Sequence, residues 1–345
     1  VRCVYESLIP AVNRELVLDV IRELFQESFR RSLRGETDSD GFNRLVIAAQ
    51  MHWRQVKVLR AYCKYLLQTG IPFSQEYMSA TLARYPAISR LLIELFEAQF
   101  DPARDTESDY QKERGQKLFE RRFAVLLDGG LATDAVLGEF LADAAKSRTE
   151  NRESQVQQIL AAFNRSLDHV ASLDEDRILH AFRDVICATL RTSFYQQGED
   201  GPRDYISFKL DSQALPDLPL PRPYREIWVY SPRFEGIHLR GGTIARGGLR
   251  WSDRREDFRT EVLGLMKAQN VKNTIIVPVG AKGGFVPKKL PEDEGRDAVW
   301  QEGISCYSNF INGLLDITDN ILKDKIIPPS DVCLLYTSDA ADEDC

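Results

Sequence analysis

Apolar positions in the first half of the chain recur with the period of a helix. Val12, Leu16, Val17, Val20, Ile21, Leu24, Phe25 and Phe29 make one stripe, because side chains three and four residues apart share a helix face. Ile88, Leu91, Leu92, Leu95 and Phe96 repeat the pattern, as do Val156, Ile159, Leu160, Phe163 and Leu167. Ser172 followed by Glu175 reads as a capping box ahead of a helix over 178–190. DPARDTESD, residues 101–109, is a polar connector between such segments. The stripes read as bundle core, and Trp53, Tyr62 and Tyr65 as packing residues within it.

The pattern changes near Gly198. QQGEDGPRD is rich in turn formers. Short β-type runs follow: YISFKLDS, EIWVYSP and GIHLRGG. Between the first two, Pro216, Pro219, Pro221 and Pro223 exclude regular helix and central strand, so residues 212–226 are predicted to cross in an extended conformation. WSDRREDF is predicted to open a helix, with Asp253 as N-cap and Glu256 three residues on. Phe258, Val262, Leu265 and Met266 supply its buried face. NTIIVPV then reads as a strand without charge, which suits a sheet covered on both faces. Residues 298–322 read as a further long helix. Helix and strand interleave here, whereas the first half is all helix, so the fold class is α+β overall: a helical region over 1–197, then an α/β domain over 198–332.

Composition narrows the function. The chain has 345 residues, 43% hydrophobic and 28% charged, which fits a soluble protein with a sizeable core. No apolar run approaches the roughly 20 residues that span a membrane, and no charged-then-apolar leader opens the sequence. The opening VRCVYES lacks an initiator methionine and reads as mid-protein sequence. A net charge of −7 argues against a nucleic-acid surface. The six cysteines are scattered singly, which favours thiols in a reducing, cytoplasmic compartment. His52, His169, His180 and His238 lie far apart without metal-ligand spacing, so no metal site is expected. The closing LLYTSDAADE resembles the translation of a transposon-type sequencing-library adapter, so residues 333–345 are expected to be a non-native tail and native sequence to stop near Val332.

The chemistry concentrates in VPVGAKGGFVPKK, residues 277–289. Lys282 stands among Gly280, Gly283 and Gly284 directly after an apolar run. Glycines let a backbone turn sharply and let a ligand come close. A desolvated lysine, or one beside another cation, gives up its proton more easily and can serve as a base. Gln269 and Lys272 lie three apart near a helix end, on one face. ARGGLRW adds Arg246 beside Gly247 and Gly248. Such cations want an anion, and a small dicarboxylate would fit two of them; the alternative is ordinary solvated charge. The stretch does not satisfy GxxxxGK[ST], and GGTIARGG is not the GxGxxG of a dinucleotide turn.

Taken whole, ARGGLRWSDRREDFRTEVLGLMKAQNVKNTIIVPVGAKGGFVPK resembles the substrate-domain signature of glutamate dehydrogenases, and within them the large bacterial NAD-specific class. The resemblance implies an α/β substrate domain of amino-acid-dehydrogenase type, cut short before the dinucleotide-binding domain. It implies oxidative deamination of L-glutamate to 2-oxoglutarate and ammonia, with NAD bound outside this chain and a homo-oligomer at full length. Carried over by position, Lys282 is the lysine that activates the attacking water. Lys272 and Gln269 are the donors to the substrate α-carboxylate. Arg246, where the smaller enzymes of the family have lysine, helps bind the substrate, with Gly247 and Gly248 as the backbone turn beside it. IIPPSDV places the acidic proton-transfer residue at Asp331. By itself the polypeptide is expected to bind glutamate weakly at best and not to reduce NAD. Two other readings stay open: a related dehydrogenase acting on an apolar amino acid, and a helical interaction module with a vestigial dehydrogenase part.

Overall fold

The structure, a computed structural model, describes residues 14–127, 135–149, 151–198, 201–243, 245–272, 279–323, 325–330 and 332; the side chains of 14–20, 125, 127, 135–136 and 270–272 lie outside that description. The chain forms two units, Val1–Cys63 with Phe73–Ile186, and Lys64–Pro72 with Cys187–Cys345.

The described part of the first unit is helical: α1 (Arg14–Leu33), α2 (Leu45–Ala48), α3 (Trp53–Thr69, which passes into the second unit at Lys64), α4 (Gln75–Arg84), α5 (Pro86–Phe100), α6 (Asp109–Leu127), α7 (Ala135–Ser147), α8 (Arg152–Leu167) and α9 (Leu173–Cys187). α5 opens on a proline, whose missing N–H is no loss in a first turn. It is buried on nearly every side through Ile88, Leu91, Leu92, Ile93, Leu95 and Phe96, as a bundle's central helix must be. α8 lies against it, and α7 against α8. α5 also buries Arg90 and Glu94, paired at 2.7 Å one turn apart, and Arg122 and Arg104 converge on the same carboxylate. Burial pushes Glu94 upward, but the guanidiniums of Arg90, Arg122 and Arg104 outweigh it and hold the carboxyl at about 2.

Two expectations for this unit need correction. Ile21 is buried, but Phe29 is 55% exposed and Ser28 is buried in its place, so the first stripe does not reach Phe29; its residues Val12 to Val20 fall outside the described side chains. The capping box forms by half. The Glu175 N–H reaches Ser172 Oγ at 3.5 Å, yet its carboxylate is taken by Arg84 and by the Tyr85 hydroxyl, at 2.8 Å from the latter. That helix also ends at Cys187, because Thr189 already belongs to a strand.

The second unit is built on a mixed sheet. Its strands are β1 (Thr189–Thr192), β4 (Ile206–Leu210), β5 (Arg225–Tyr230), β6 (Phe234–Arg240), β7 (Ala245–Arg246), β8 (Leu249–Trp251) and β9 (Val279–Pro287), in the order β1-β4-β5-β6-β9-β7 with β8 also on β9. The short pairs β2 (Gln197–Gly198) with β3 (Gly201–Pro202), and β10 (Asn320–Leu322) with β11 (Lys325–Ile327), stand apart from it. Neighbours from β1 to β9 run antiparallel, while β7 and β8 run parallel to β9. Strand alternation sorts the core. Trp228, Ile237 and Gly284 are aligned on one face, where α10 (Phe258–Lys272) lies: Phe258 stacks on Trp228 at 5.9 Å. Val229, Gly236 and Phe285 are aligned on the other, against Cys306 and Phe310 of α11 (Arg296–Leu315). The sheet is covered on both faces; of the uncharged run NTIIVPV on which that expectation rested, residues 273–278 lie outside the described residues.

Boundaries shift here too. α10 begins at Phe258, not at Asp253. Asp257 stands at its start, its carbonyl accepting from the Glu261 N–H at 3.2 Å and its carboxylate paired with Arg254. The preceding residues instead bend, and Ser252 Oγ donates to Glu261 at 2.5 Å. The helix expected over 298–322 starts at Arg296 and stops at Leu315, and 320–322 are strand. The proline-rich crossing holds one short turn, Ser212–Ala214, and no further regular element before Arg225.

Candidate active site

Lys282 stands inside β9, opposite Leu239 of β6. It was expected in a glycine turn at the mouth of a strand over 273–279; residues 273–278 lie outside the described residues, and the strand that opens at Val279 runs straight through GAKGG to Pro287. The glycines serve close packing rather than turning. A β-carbon on Gly283 would stand 2.2 Å from Leu249 Cδ2, and one on Gly284 would stand 2.7 Å from Val262 Cγ2 of α10. Side chains at these positions would push β8 and α10 off the strand that carries the lysine.

Register assigns the faces. Arg246 is opposite Gly280, and Arg250 opposite Gly284. Positions 280, 282 and 284 share one face of β9, so Arg246, Lys282 and Arg250 belong to the face covered by α10. The α-carbons of Arg246 and Lys282 are diagonal neighbours, on the order of 7–8 Å apart by sheet spacing. Lys282 is partly buried and Arg246 exposed, and neither charged group makes a hydrogen bond or ion pair among the described residues. Gly247 lies against the β9 backbone, where a β-carbon would stand 1.3 Å from the Ala281 carbonyl oxygen. Gly248 has open space at its α-carbon, and its carbonyl accepts the Gly283 N–H at 3.2 Å.

Gln269 follows Val262 by seven residues, so both lie on the sheet side of α10. Its Nε2 donates to the Arg246 carbonyl oxygen at 2.6 Å. Its Oε1 is buried and has no hydrogen-bond partner among the described residues. Lys272 is the last residue of α10, one turn beyond Gln269, and its side chain is outside the described ones. Asp331 also lies outside the described residues. The structure thus brings Lys282, Arg246, Gly247, Gly248 and Gln269 to one corner of the sheet.

Two features of the second unit escaped the sequence reading. Arg259 and Glu226 form a buried bidentate pair, Nε to Oε2 at 2.9 Å and Nη2 to Oε1 at 2.5 Å. The Tyr65 hydroxyl donates to Glu226 at 3.1 Å, and burial together with the Glu226 charge pushes that phenol well above its ordinary value. The Gln68 side chain accepts from the Arg259 N–H at 3.2 Å and donates to the carbonyls of Arg255 and Glu256. The Glu226 bonds pin the start of α10 to β5, and the Gln68 bonds pin it to the segment Lys64–Pro72. The signal was available: Arg259 interrupts the apolar stripe beside Phe258 and Val262, and Glu226 shares the inward alternation of Trp228. The second feature is His238, opposite Gly283 and hence on the face away from Lys282. Burial and the nearby Arg240 push its imidazole down to about 4, so it is neutral at ordinary pH.

Comparison with known proteins places the chain in a family. Residues 162–343 match the family model described as bacterial NAD-glutamate dehydrogenase, catalytic domain, and residues 37–102 match glutamate dehydrogenase, helical motif 3. The chain belongs to the bacterial NAD-glutamate dehydrogenase family. It is 46% identical over 320 residues to the NAD-specific glutamate dehydrogenase of Halomonas elongata, 45% over 323 residues to that of Pseudomonas aeruginosa, and 45% over 317 residues to that of Mycobacterium tuberculosis. The alignments cover 92%, 93% and 89% of this chain but 17% of each relative.

Proposed function

We propose that this chain carries the substrate-handling part of an NAD-dependent glutamate dehydrogenase, in which L-glutamate, water and oxidised NAD give 2-oxoglutarate, ammonium, reduced NAD and a proton. The observation that carries the reading is that Lys282 and Arg246 are diagonal neighbours: two cationic side chains without described partners, on one sheet face, on the side of the helix that ends in Lys272. A dicarboxylic amino acid suits that arrangement. Arg246 takes the distal carboxylate, and Lys272 takes the α-carboxylate. Lys282 stands between them and accepts the proton of the water that attacks the substrate imine. Asp331 completes the proton transfer. The substrate-binding part of this assignment is residues 198–332, of amino-acid-dehydrogenase type.

The dinucleotide does not fit here. Its phosphates need a strand, a glycine turn and a helix N-terminus in succession. Gly280, Gly283 and Gly284 lie within β9, and Gly241, Gly242, Gly247 and Gly248 lie between or beside strands. The residues described supply the substrate side only. No described helix is long and apolar enough to cross a membrane. The reading places the whole enzyme, as a homo-oligomer, in the cytoplasm.

The test is Lys282→Ala in the complete enzyme that carries this chain. Turnover of glutamate should vanish while the circular dichroism spectrum and urea midpoint stay at wild-type values. Wild-type turnover in that variant would remove the role.

A further inference from the structure

In the helical unit, three arginines share one buried carboxylate. Glu94 Oε1 accepts from Arg90 Nε at 3.0 Å and Nη2 at 2.7 Å, and from Arg122 Nη1 at 3.3 Å. Arg104 Nη2 stands 3.9 Å from Oε2, an ion pair too long for a hydrogen bond. Glu97 is a second carboxylate whose charge acts on Arg122. Three guanidiniums thus face two carboxylates, and one positive charge is left over where buried charge is normally matched. Burial and the nearby Arg90 lower the pKa of Arg122, the direction expected of a cation with too little compensation. Donors are left over as well. A guanidinium has five N–H groups, yet that of Arg122 makes one hydrogen bond among the described residues. Gln155 of α8 is 2% exposed. Its Oε1 accepts from Arg104 Nη1 at 2.5 Å, which fixes the orientation of the amide, since a guanidinium only donates. Its Nε2 is buried beside that bond and has no partner among the described residues. The Arg122 side chain keeps 27% of its surface exposed, so a solute can reach it.

We propose that Arg104, Arg122 and Gln155 form a binding site for a small oxyanion of the phosphate class, which supplies the missing negative charge and accepts from Gln155 Nε2. The proposal does not depend on the glutamate reading above. An oxyanion only accepts, so it suits a place where donors alone are unfilled, and guanidiniums match its geometry with two parallel bonds. The three residues come from three segments: the turn Pro102–Asp105, α6 and α8. A bound anion therefore ties those segments together. Gln155→Glu imitates the ligand: it keeps the acceptor for Arg104, replaces the unfilled donor by oxygen and adds the negative charge.

Amide hydrogen exchange in the complete enzyme tests it, read over residues 101–106 and 152–158 in inorganic phosphate and in chloride at equal ionic strength. Reading these segments keeps phosphate bound elsewhere in the enzyme out of the comparison. A site that must release its ligand before it opens exchanges more slowly, about tenfold at ten times Kd. Phosphate should slow the wild type to that degree and chloride should not. R122M and Q155E should lose the response. Q155E without phosphate should already exchange more slowly than the wild type, because the charge is built in. No slowing by phosphate, equal slowing in chloride, or a response kept in both variants would overturn the site. If R122M fails to fold, Q155E decides alone: exchange as fast as unliganded wild type would show that the cluster lacks no negative charge.

Discussion

Gly247 and Ala281 meet backbone to backbone: a β-carbon on Gly247 would stand 1.3 Å from the Ala281 carbonyl oxygen. No rotamer change relieves an overlap with backbone. Gly247→Ala must therefore displace the segment between β7 and β8 from β9. We expect a loss of stability of about 3 kcal/mol or more, at the upper end for overpacking. At Gly248 nothing lies within 4 Å of the added carbon, so Gly248→Ala should stay within about 0.5 kcal/mol of wild type. Urea unfolding of the two variants side by side checks the contrast.

Arg259 and Glu226 have side chains only 1% and 0% exposed. Removing one partner strands the other charge in the core, which costs about 3–5 kcal/mol. Glu226→Leu and Arg259→Met should each be destabilised to that degree, whereas the double variant should recover most of the loss. Tyr65→Phe removes one bond to Glu226 and should cost about 1 kcal/mol. A double-mutant cycle measured by urea unfolding reads the coupling directly, and additive losses would contradict it.

His238 gives the fold a dependence on acid. Burial and the nearby Arg240 push its imidazole down to about 4 in the folded chain from the ordinary 6.5, so between those limits the unfolded state binds more protons. Stability is fully present above about pH 6.5 and falls as pH drops toward 4, by about 3 kcal/mol over the window. His238→Gln, which does not titrate, should flatten that part of the profile. Urea midpoints at pH 7.5, 5.5 and 4.5 make the comparison.

On the proposed function, Arg246→Met in the complete enzyme removes a charge that meets the substrate in the ground state and the transition state alike. KM for glutamate should rise about tenfold or more while kcat changes far less. Arg246→Lys should recover only part of the affinity, since an ammonium lacks the planar fork. Steady-state kinetics of both variants decide it; a fall in kcat with KM unchanged would contradict the binding role.

Much was legible before any coordinates. The 3.6-residue stripes of Ile88 to Phe96 and Ile159 to Leu167 marked buried helices, because a helix in a bundle has one solution for its apolar residues. The short β-type runs EIWVY and GIHLR marked the central strands β5 and β6, since branched and aromatic side chains fit a pleated surface. The chemistry was legible as residue types: a lysine among glycines, with arginine and glutamine nearby. Local signals failed where a distant partner took the group concerned. Glu175 reads as half of a capping box, but Arg84 and Tyr85 claim its carboxylate. Asp253 reads as an N-cap, but the Ser252–Glu261 bond bends the chain, and the helix waits until Phe258.

By itself, the sequence determined which segments must bury an apolar face and which side chains are available to carry charge and protons, since periodicity and residue chemistry are local properties. Tertiary structure alone decided that GAKGG is strand rather than turn, because only the neighbours β6, β8 and α10 show why a β-carbon is excluded there. It alone decided that Arg246 and Lys282 share a face, because that follows from the register of β7 on β9, a pairing across more than thirty residues that no local pattern specifies.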